Sequence, residues 1–275
     1  MTMRVGSGRH FRSASWLERG VERLRRGGAR KAPPILRRLH EFVLDALPGE
    51  HLVSTLPGGE RVRLSARCRQ LSWNPEEYEA FRRIVRPGFT VLDVGANVGA
   101  YTVLFAQWAG PAGRVIAFEP APASIAGLRR QLQLNGLAGQ VDVVEAAVAG
   151  TVGTASFESD GASGANALGA GGAHTITVPT TTIDAFCAER GLHPDVIKID
   201  VEGAELDVLR GARRTLQAAS IAVFVEFHPS AWAARGITPQ DMRAELASQE
   251  LVAEPLDPAI DIWNTEGISV RLRRG

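Results

Sequence analysis

The sequence predicts a doubly wound α/β domain built on a mostly parallel sheet, and three observations carry that prediction. The run Val91 to Thr102, VLDVGANVGAYT, is an apolar strand closing on an acid, followed by glycines at 95 and 99 and the start of an apolar helix. Beyond it, strand-like and helix-like segments alternate at the spacing that gives parallel strands joined by right-handed crossovers. A length of 275 residues with 45% apolar content is enough for one large core.

The first 50 residues read as a leader distinct from the domain. Residues 1–38 hold eleven Lys or Arg against Glu18 and Glu22, a charge of +9 that leaves −8 for the remainder. Ser15 to Arg26 has helical spacing, with Trp16, Leu17, Val21 and Leu24 near one face, and Gly27-Gly28 ends it. After Pro33-Pro34 comes an apolar helix-like stretch, Ile35 to Leu47. Such an arm suits nucleic acid, an anionic membrane surface or an acidic partner, and equally a solvated leader with no partner.

The domain is expected over 51–275. It opens on a β-hairpin from His51 to Leu64 around Pro57-Gly58-Gly59, and then a helix to Val85 with Asn74 as N-cap and Pro75 in its first turn. Pro87-Gly88 closes that helix. Strands are expected at 90–94, 114–118, 141–144, 195–199 and 221–226, and helices near 99–109, 122–134, 203–218 and 238–248. The Gly/Ala/Ser-rich segment Gly150 to Ala173 reads as a long loop before a strand-like run, Thr175 to Thr181; it is either a lid over the site or an excursion without catalytic consequence. At the C-terminus, Ile260 to Trp263 and Ser269 to Arg273 read as an antiparallel pair around Glu266-Gly267.

Several classes of protein are excluded on composition. No apolar run approaches the roughly 20 residues of a membrane-spanning helix, and the arginine-rich N-terminus lacks the apolar core of a secretory signal, so a cytoplasmic location is expected. Cys68 and Cys187 sit in no paired or Cys/His pattern, which argues against a disulfide framework or a zinc site. Only two lysines occur, Lys31 and Lys198.

The first turn discriminates between cofactors. A dinucleotide site wants Gly-x-Gly-x-x-Gly, whose central glycine lets the backbone approach a pyrophosphate. Here the turn is Gly95-Ala96-Asn97-Val98-Gly99, without that glycine, and Asp93 at the strand end would repel a pyrophosphate and attract a cation. A nicotinamide-dependent oxidoreductase is disfavoured on both counts. S-adenosylmethionine carries an ammonium and a sulfonium and no phosphate, so Asp93 is expected to face its ammonium, directly or through water. Glu119, about twenty residues on at the end of RVIAFEP with Pro120 beside it, stands where an acid accepts hydrogen bonds from ribose hydroxyls.

Five segments in order, VLDVGANVGAYT, FEPAPASIAGLRRQLQLNGL, TTTIDAF, DVIKIDVEGAELDVLRGA and VEFH, resemble the FkbM family of S-adenosylmethionine-dependent methyltransferases over about residues 51 to 275. The resemblance implies a seven-stranded, Rossmann-like class I methyltransferase fold with an antiparallel last strand. It also implies cofactor contacts at Asp93, Gly95, Asn97, Gly99, Thr102 and Glu119, with Ala96 and Pro120 in the same turns, and an acceptor hydroxyl on a sugar, glycan, lipid or secondary metabolite.

Acceptor chemistry is expected at the carboxyl ends of the fourth and fifth strands. Period two puts Lys198, Asp200 and Glu202 on one side if the strand stays extended through Glu202, and Glu226 and His228 share a side of the next. Methyl transfer is an in-line displacement in which an alcohol must also lose a proton, and Asp200, His228 and Glu202 are the candidate bases. Lys198 either serves the site or anchors its strand through a buried ion pair. Asp200, Glu202, Glu226 and His228 could also ligate a divalent ion, but their spacing matches no recognised metal signature, so no metal ligand is assigned. Amine- or RNA-directed methylation, with the leader on phosphates, and a nucleoside-binding protein without chemistry remain the other readings. No Asn-Pro-Pro-Tyr-like segment is present for an exocyclic amine; Asp200-Val201-Glu202-Gly203 stands in its place. Nothing in the sequence sets the oligomeric state.

Overall fold

The computed structural model describes residues 52–65, 68, 71–159, 166–168, 175–218 and 220–275. The leader, its helix-like stretches and part of the Gly-rich segment lie outside them. A short antiparallel hairpin comes first, β1 (Leu52–Thr55) with β2 (Arg61–Leu64). Helix α1 (Pro75–Ile84) follows, its first turn capped as expected by the Asn74 side chain, which accepts from the backbone N–H of Glu76 and Glu77.

The alternating section then runs β3 (Thr90–Val94), α2 (Ala100–Ala109), β4 (Arg114–Phe118), α3 (Pro122–Leu134) and β5 (Val141–Val144). A second sheet interrupts it, made of β6 (Ala147–Val148), β7 (Gly153–Ser159), β8 (Asn166–Leu168) and β9 (Thr175–Thr181) in the order β6-β9-β7-β8. The chain resumes with α4 (Ile183–Arg190), β10 (Val196–Ile199), α5 (Glu205–Arg210), β11 (Ala222–Phe227), α6 (Pro229–Ala234), α7 (Pro239–Ser248), β12 (Leu251–Pro255) and β13 (Ile268–Arg274). The main sheet has seven strands in the order β12-β13-β11-β10-β3-β4-β5, with β13 antiparallel to both neighbours. This is the seven-stranded, mostly parallel sheet with an antiparallel C-terminal strand that the sequence predicts.

The central strands are buried on both sides, which is why they read as continuous apolar runs and not as alternation. Leu92, Val94, Ile116, Phe118, Ile197, Ile199 and Val225 face one core, and Val91, Val115, Ala117, Val196, Ala222 and Phe224 face the other. On the second side, Phe81 of α1 meets Tyr101, Phe105 and Phe224 edge to face, so the N-terminal hairpin and helix close that layer.

Three elements depart from expectation. The long loop contains β7, which pairs antiparallel with β9 and turns Phe157 inward; its alternation, Ala155 and Phe157 among small polar residues, is short and easily lost among glycines. The helix expected over 203–218 stops at Arg210, because the Asp184 carboxylate accepts from the backbone N–H of Arg214 and Thr215 and draws the chain into a turn. Leu206, Leu209, Ala212 and Leu216 are buried there all the same. The partner of the last strand is β12, not Ile260 to Trp263. Asp257 and Asp261 side chains accept from the N–H of Ala259 and Trp263, and these local bonds hold 257–263 in turns.

Candidate active site

Two structural devices build the cofactor edge at the carboxyl end of β3. Gly95 has φ +83, and a Cβ there would run into the carbonyl oxygen of Asp200, so only glycine lets the β3 turn pass the end of β10. The N–H groups of Gly95 and Ala96 both reach the Phe118 carbonyl at 3.0 Å, tying the turn to β4. Asn97 takes the left-handed conformation at φ +48, and Gly99, at φ +87, is the N-cap of α2.

Glu119 is anchored by that turn. Its Oε2 accepts from the Asn97 N–H at 2.9 Å and its Oε1 from the Ala121 N–H at 2.8 Å. Burial raises the carboxyl to about 7 despite those two bonds, and the charges of Asp93 and Asp200 push in the same direction as burial. Gly95, Asn97, Glu119 and Pro120 line an open cleft together with Asp200 and Glu202. Phe157 of β7 is also on its wall, so the expected lid segment contributes a side chain to the cleft.

Asp93 is buried behind the cleft. Thr102 Oγ1 donates to its Oδ2 at 2.6 Å, so Thr102 fixes this acid. The other oxygen, Oδ1, has no hydrogen-bond partner and lies 4.0 Å from Lys198 Nζ. Burial raises the Asp93 carboxyl, opposed by Lys198 and by the Thr102 hydroxyl.

Lys198 sits directly opposite Asp93 in the β3/β10 register and donates to Asp200 Oδ2 at 3.0 Å. Burial alone would favour the neutral amine, but Asp200, Asp93, Glu77 and Glu226 hold the ammonium well above its usual range. It therefore anchors its strand in a buried ion pair and fixes one oxygen of Asp200.

Extension does not persist through Glu202. The strand ends at Ile199, and Glu202 has φ +52, which swings its half-exposed carboxylate to the cleft mouth. Burial, followed in weight by opposition from His228 and support from Asp200, leaves that carboxyl raised.

His228 follows β11 and is almost fully buried. Its Nδ1 lies 2.9 Å from Oε1 of Glu205, a wholly buried carboxylate that also accepts from the Gly203 N–H at 2.9 Å and from Trp232 Nε1 at 2.5 Å. Its Nε2 faces Glu202 at 3.5 Å, Glu226 at 3.6 Å and Asp200 at 3.9 Å. Burial works against the charged ring, yet Glu205, Glu226 and Asp200 outweigh it and push the pKa up to about 11. Glu205 has no signal in the sequence: its spacing, five residues after Asp200, matches no recognised pattern.

Residues 93–252 match the methyltransferase FkbM domain, more than half of the chain. The chain belongs to this family. Among curated relatives of the FkbM domain, it is 48% identical over 58 residues to 31-O-demethyl-FK506 methyltransferase FkbM of Streptomyces tacrolimicus, which covers 21% of the chain and 22% of that protein. To hexuronic acid methyltransferase AglP of Haloferax volcanii it is 30% identical over 183 residues, covering 59% of the chain and 63% of that protein. The chain thus spans less than two thirds of either relative. A solved FkbM methyltransferase from Methylobacillus flagellatus KT aligns at 16% identity with a TM-score of 0.45, over 70% of this chain and 50% of that one. Among the described residues no helix is long and apolar enough to cross a membrane.

Proposed function

We propose that this FkbM-domain chain transfers the methyl group of S-adenosylmethionine to a hydroxyl oxygen of a small acceptor such as a sugar, glycan, lipid or secondary metabolite. The observation that supports it most is one open cleft whose wall carries Gly95, Asn97 and Glu119 of the expected cofactor edge together with Asp200 and Glu202. Two relatives are named for methylating a hexuronic acid and 31-O-demethyl-FK506.

The residues fit the donor. Asp93 Oδ1 is a buried acceptor with no hydrogen-bond partner, 4.0 Å from the Lys198 ammonium and suited to a second ammonium directly or through water. When bound, S-adenosylmethionine supplies an activated methyl group on sulfur. The chain does the rest by positioning and proton handling. Glu119, fixed by two N–H groups, offers its remaining lone pairs to the ribose hydroxyls. Lys198 holds Asp200 at the mouth of the cleft. Glu202, whose carboxyl burial raises above its ordinary value, takes the proton from the acceptor hydroxyl.

Incubation with labelled methyl donor and fractionated extract from the source cells, followed by identification of the labelled product, tests the reading. An O-methylated small molecule is expected, and Glu202→Gln is expected to lower kcat by roughly a hundredfold or more with donor affinity kept. Absence of S-adenosylmethionine binding in calorimetry would overturn it.

A further inference from the structure

We propose that Asp200, Glu226 and His228 form a binding site for one divalent first-row cation at the carboxyl ends of β10 and β11. Each offers one ligand atom, and the three atoms lie within 4.8 Å of one another.

The first argument is distance. Carboxylate oxygens bonded to a charged imidazole settle at about 2.7–2.9 Å, yet the three oxygens facing His228 Nε2 stand at 3.5, 3.6 and 3.9 Å. Those separations are too long for direct bonds. In a cation site, bonds of about 2.1 Å put neighbouring ligands roughly 3.0–3.4 Å apart and opposite ones roughly 4.2 Å, so the Glu226 and Asp200 oxygens, 3.6 and 3.9 Å from Nε2, need to move by only a few tenths of an ångström to share one ion with the ring.

The second argument is the support behind the ring, independent of the first. Glu205, wholly buried, grips Nδ1 at 2.9 Å and is itself fixed by the Gly203 N–H and Trp232 Nε1. A carboxylate on the far nitrogen of a histidine fixes the tautomer and aims the near nitrogen, the usual outer support of a metal-bound imidazole. Asp200 is aimed the same way: Lys198 occupies its Oδ2 and leaves Oδ1 toward His228.

Charge supplies the third. Asp93, Asp200, Glu202, Glu205 and Glu226 gather here against Lys198 and the ring, and a divalent ion that displaces the Nε2 proton adds one positive charge to that deficit. Asp200 and Glu226 are about a quarter exposed, which leaves a path in from solvent. One nitrogen with two carboxylates suits manganese-like ions better than magnesium, and three protein ligands leave positions open. On the methyl-transfer reading, on which this consequence rests, the open positions take the acceptor hydroxyl together with a neighbouring oxygen, so acceptors with two adjacent oxygens are favoured.

Titration of the chelator-treated full chain with Mn²⁺, followed by electron paramagnetic resonance of the free ion, tests the site. One Mn²⁺ per chain is expected, with affinity lowered about tenfold or more in Glu226→Gln and in His228→Asn. S-adenosylmethionine calorimetry on both variants shows that they are folded. No bound Mn²⁺, or binding unchanged in both variants, overturns the site. Methyl transfer that survives chelation in a chain without Mn²⁺ binding removes the cation and leaves the methyltransferase standing. Mn²⁺ binding lost in the variants, with no methylated product from any extract, does the reverse.

Discussion

Glu119 shows how burial and function pull on one side chain. Its two backbone hydrogen bonds favour the carboxylate, but burial dominates and lifts the pKa to about 7. The folded carboxyl therefore binds its proton more tightly than the unfolded one, so its stabilising contribution is present below the ordinary value of 4.5 and lost as pH rises through 7. Glu119→Gln cannot ionise. Its melting temperature relative to the parent is expected to rise between about pH 5 and pH 8, by an amount worth up to about 3 kcal/mol, whatever constant cost the amide adds by facing two N–H donors. A difference that stays flat across that range, read by thermal denaturation without cofactor, would show that Glu119 is not held in this way. The same variant is expected to lose affinity for S-adenosylmethionine, since a ribose hydroxyl can no longer find a carboxylate.

At the scale of elements, the two glycines of the first turn are not equivalent. In Gly95→Ala the new methyl meets the Asp200 backbone, which its N–H ties to the Val94 carbonyl of β3; in Gly99→Ala it meets the far end of the Leu128 side chain. Both add the strain of a positive φ, worth about 1 kcal/mol. Gly95→Ala is therefore expected to lower the melting temperature far more than Gly99→Ala, and equal losses would contradict the packing described for β3 and β10. The β7 strand carries its own test. Phe157→Ala empties a buried position on the cleft wall, and it is expected to weaken donor or acceptor binding besides costing about 3 kcal/mol of stability. Unchanged binding constants would reduce β7 to a structural flank.

Much of this was legible because local signals and packing agree. Asn74-Pro75, the VLDV strand with its glycine turn, and the apolar runs of β4, β10 and β11 each say the same thing at both levels. Where a tertiary bond overrules a local pattern, the sequence misleads. Asp184 reaches across 30 residues to end the α5 segment, and Leu251–Pro255 is chosen over Ile260–Trp263 by a pairing that no nearby residue announces. The site divides likewise. Asp93, Glu119, Asp200 and Glu202 follow from strand ends, whereas the charged state of His228 depends on Glu205, a residue from a different element whose burial only the assembled fold creates.

For the whole molecule, sheet order decides what can meet. Because β10 lies between β3 and β11, the acids of the cofactor edge, the acceptor side and the His228 pocket all converge on a single strand end. The lysine at that junction has a further use. Lys198 is the only lysine after residue 31, nearly inaccessible, and pinned as an ammonium between two carboxylates of the central strands. An amine-reactive reagent should leave it untouched until β3 and β10 part. The rate at which its peptide acquires label, read by mass spectrometry, would then clock the opening of the central sheet from one position, and prompt labelling of the native protein would contradict its burial.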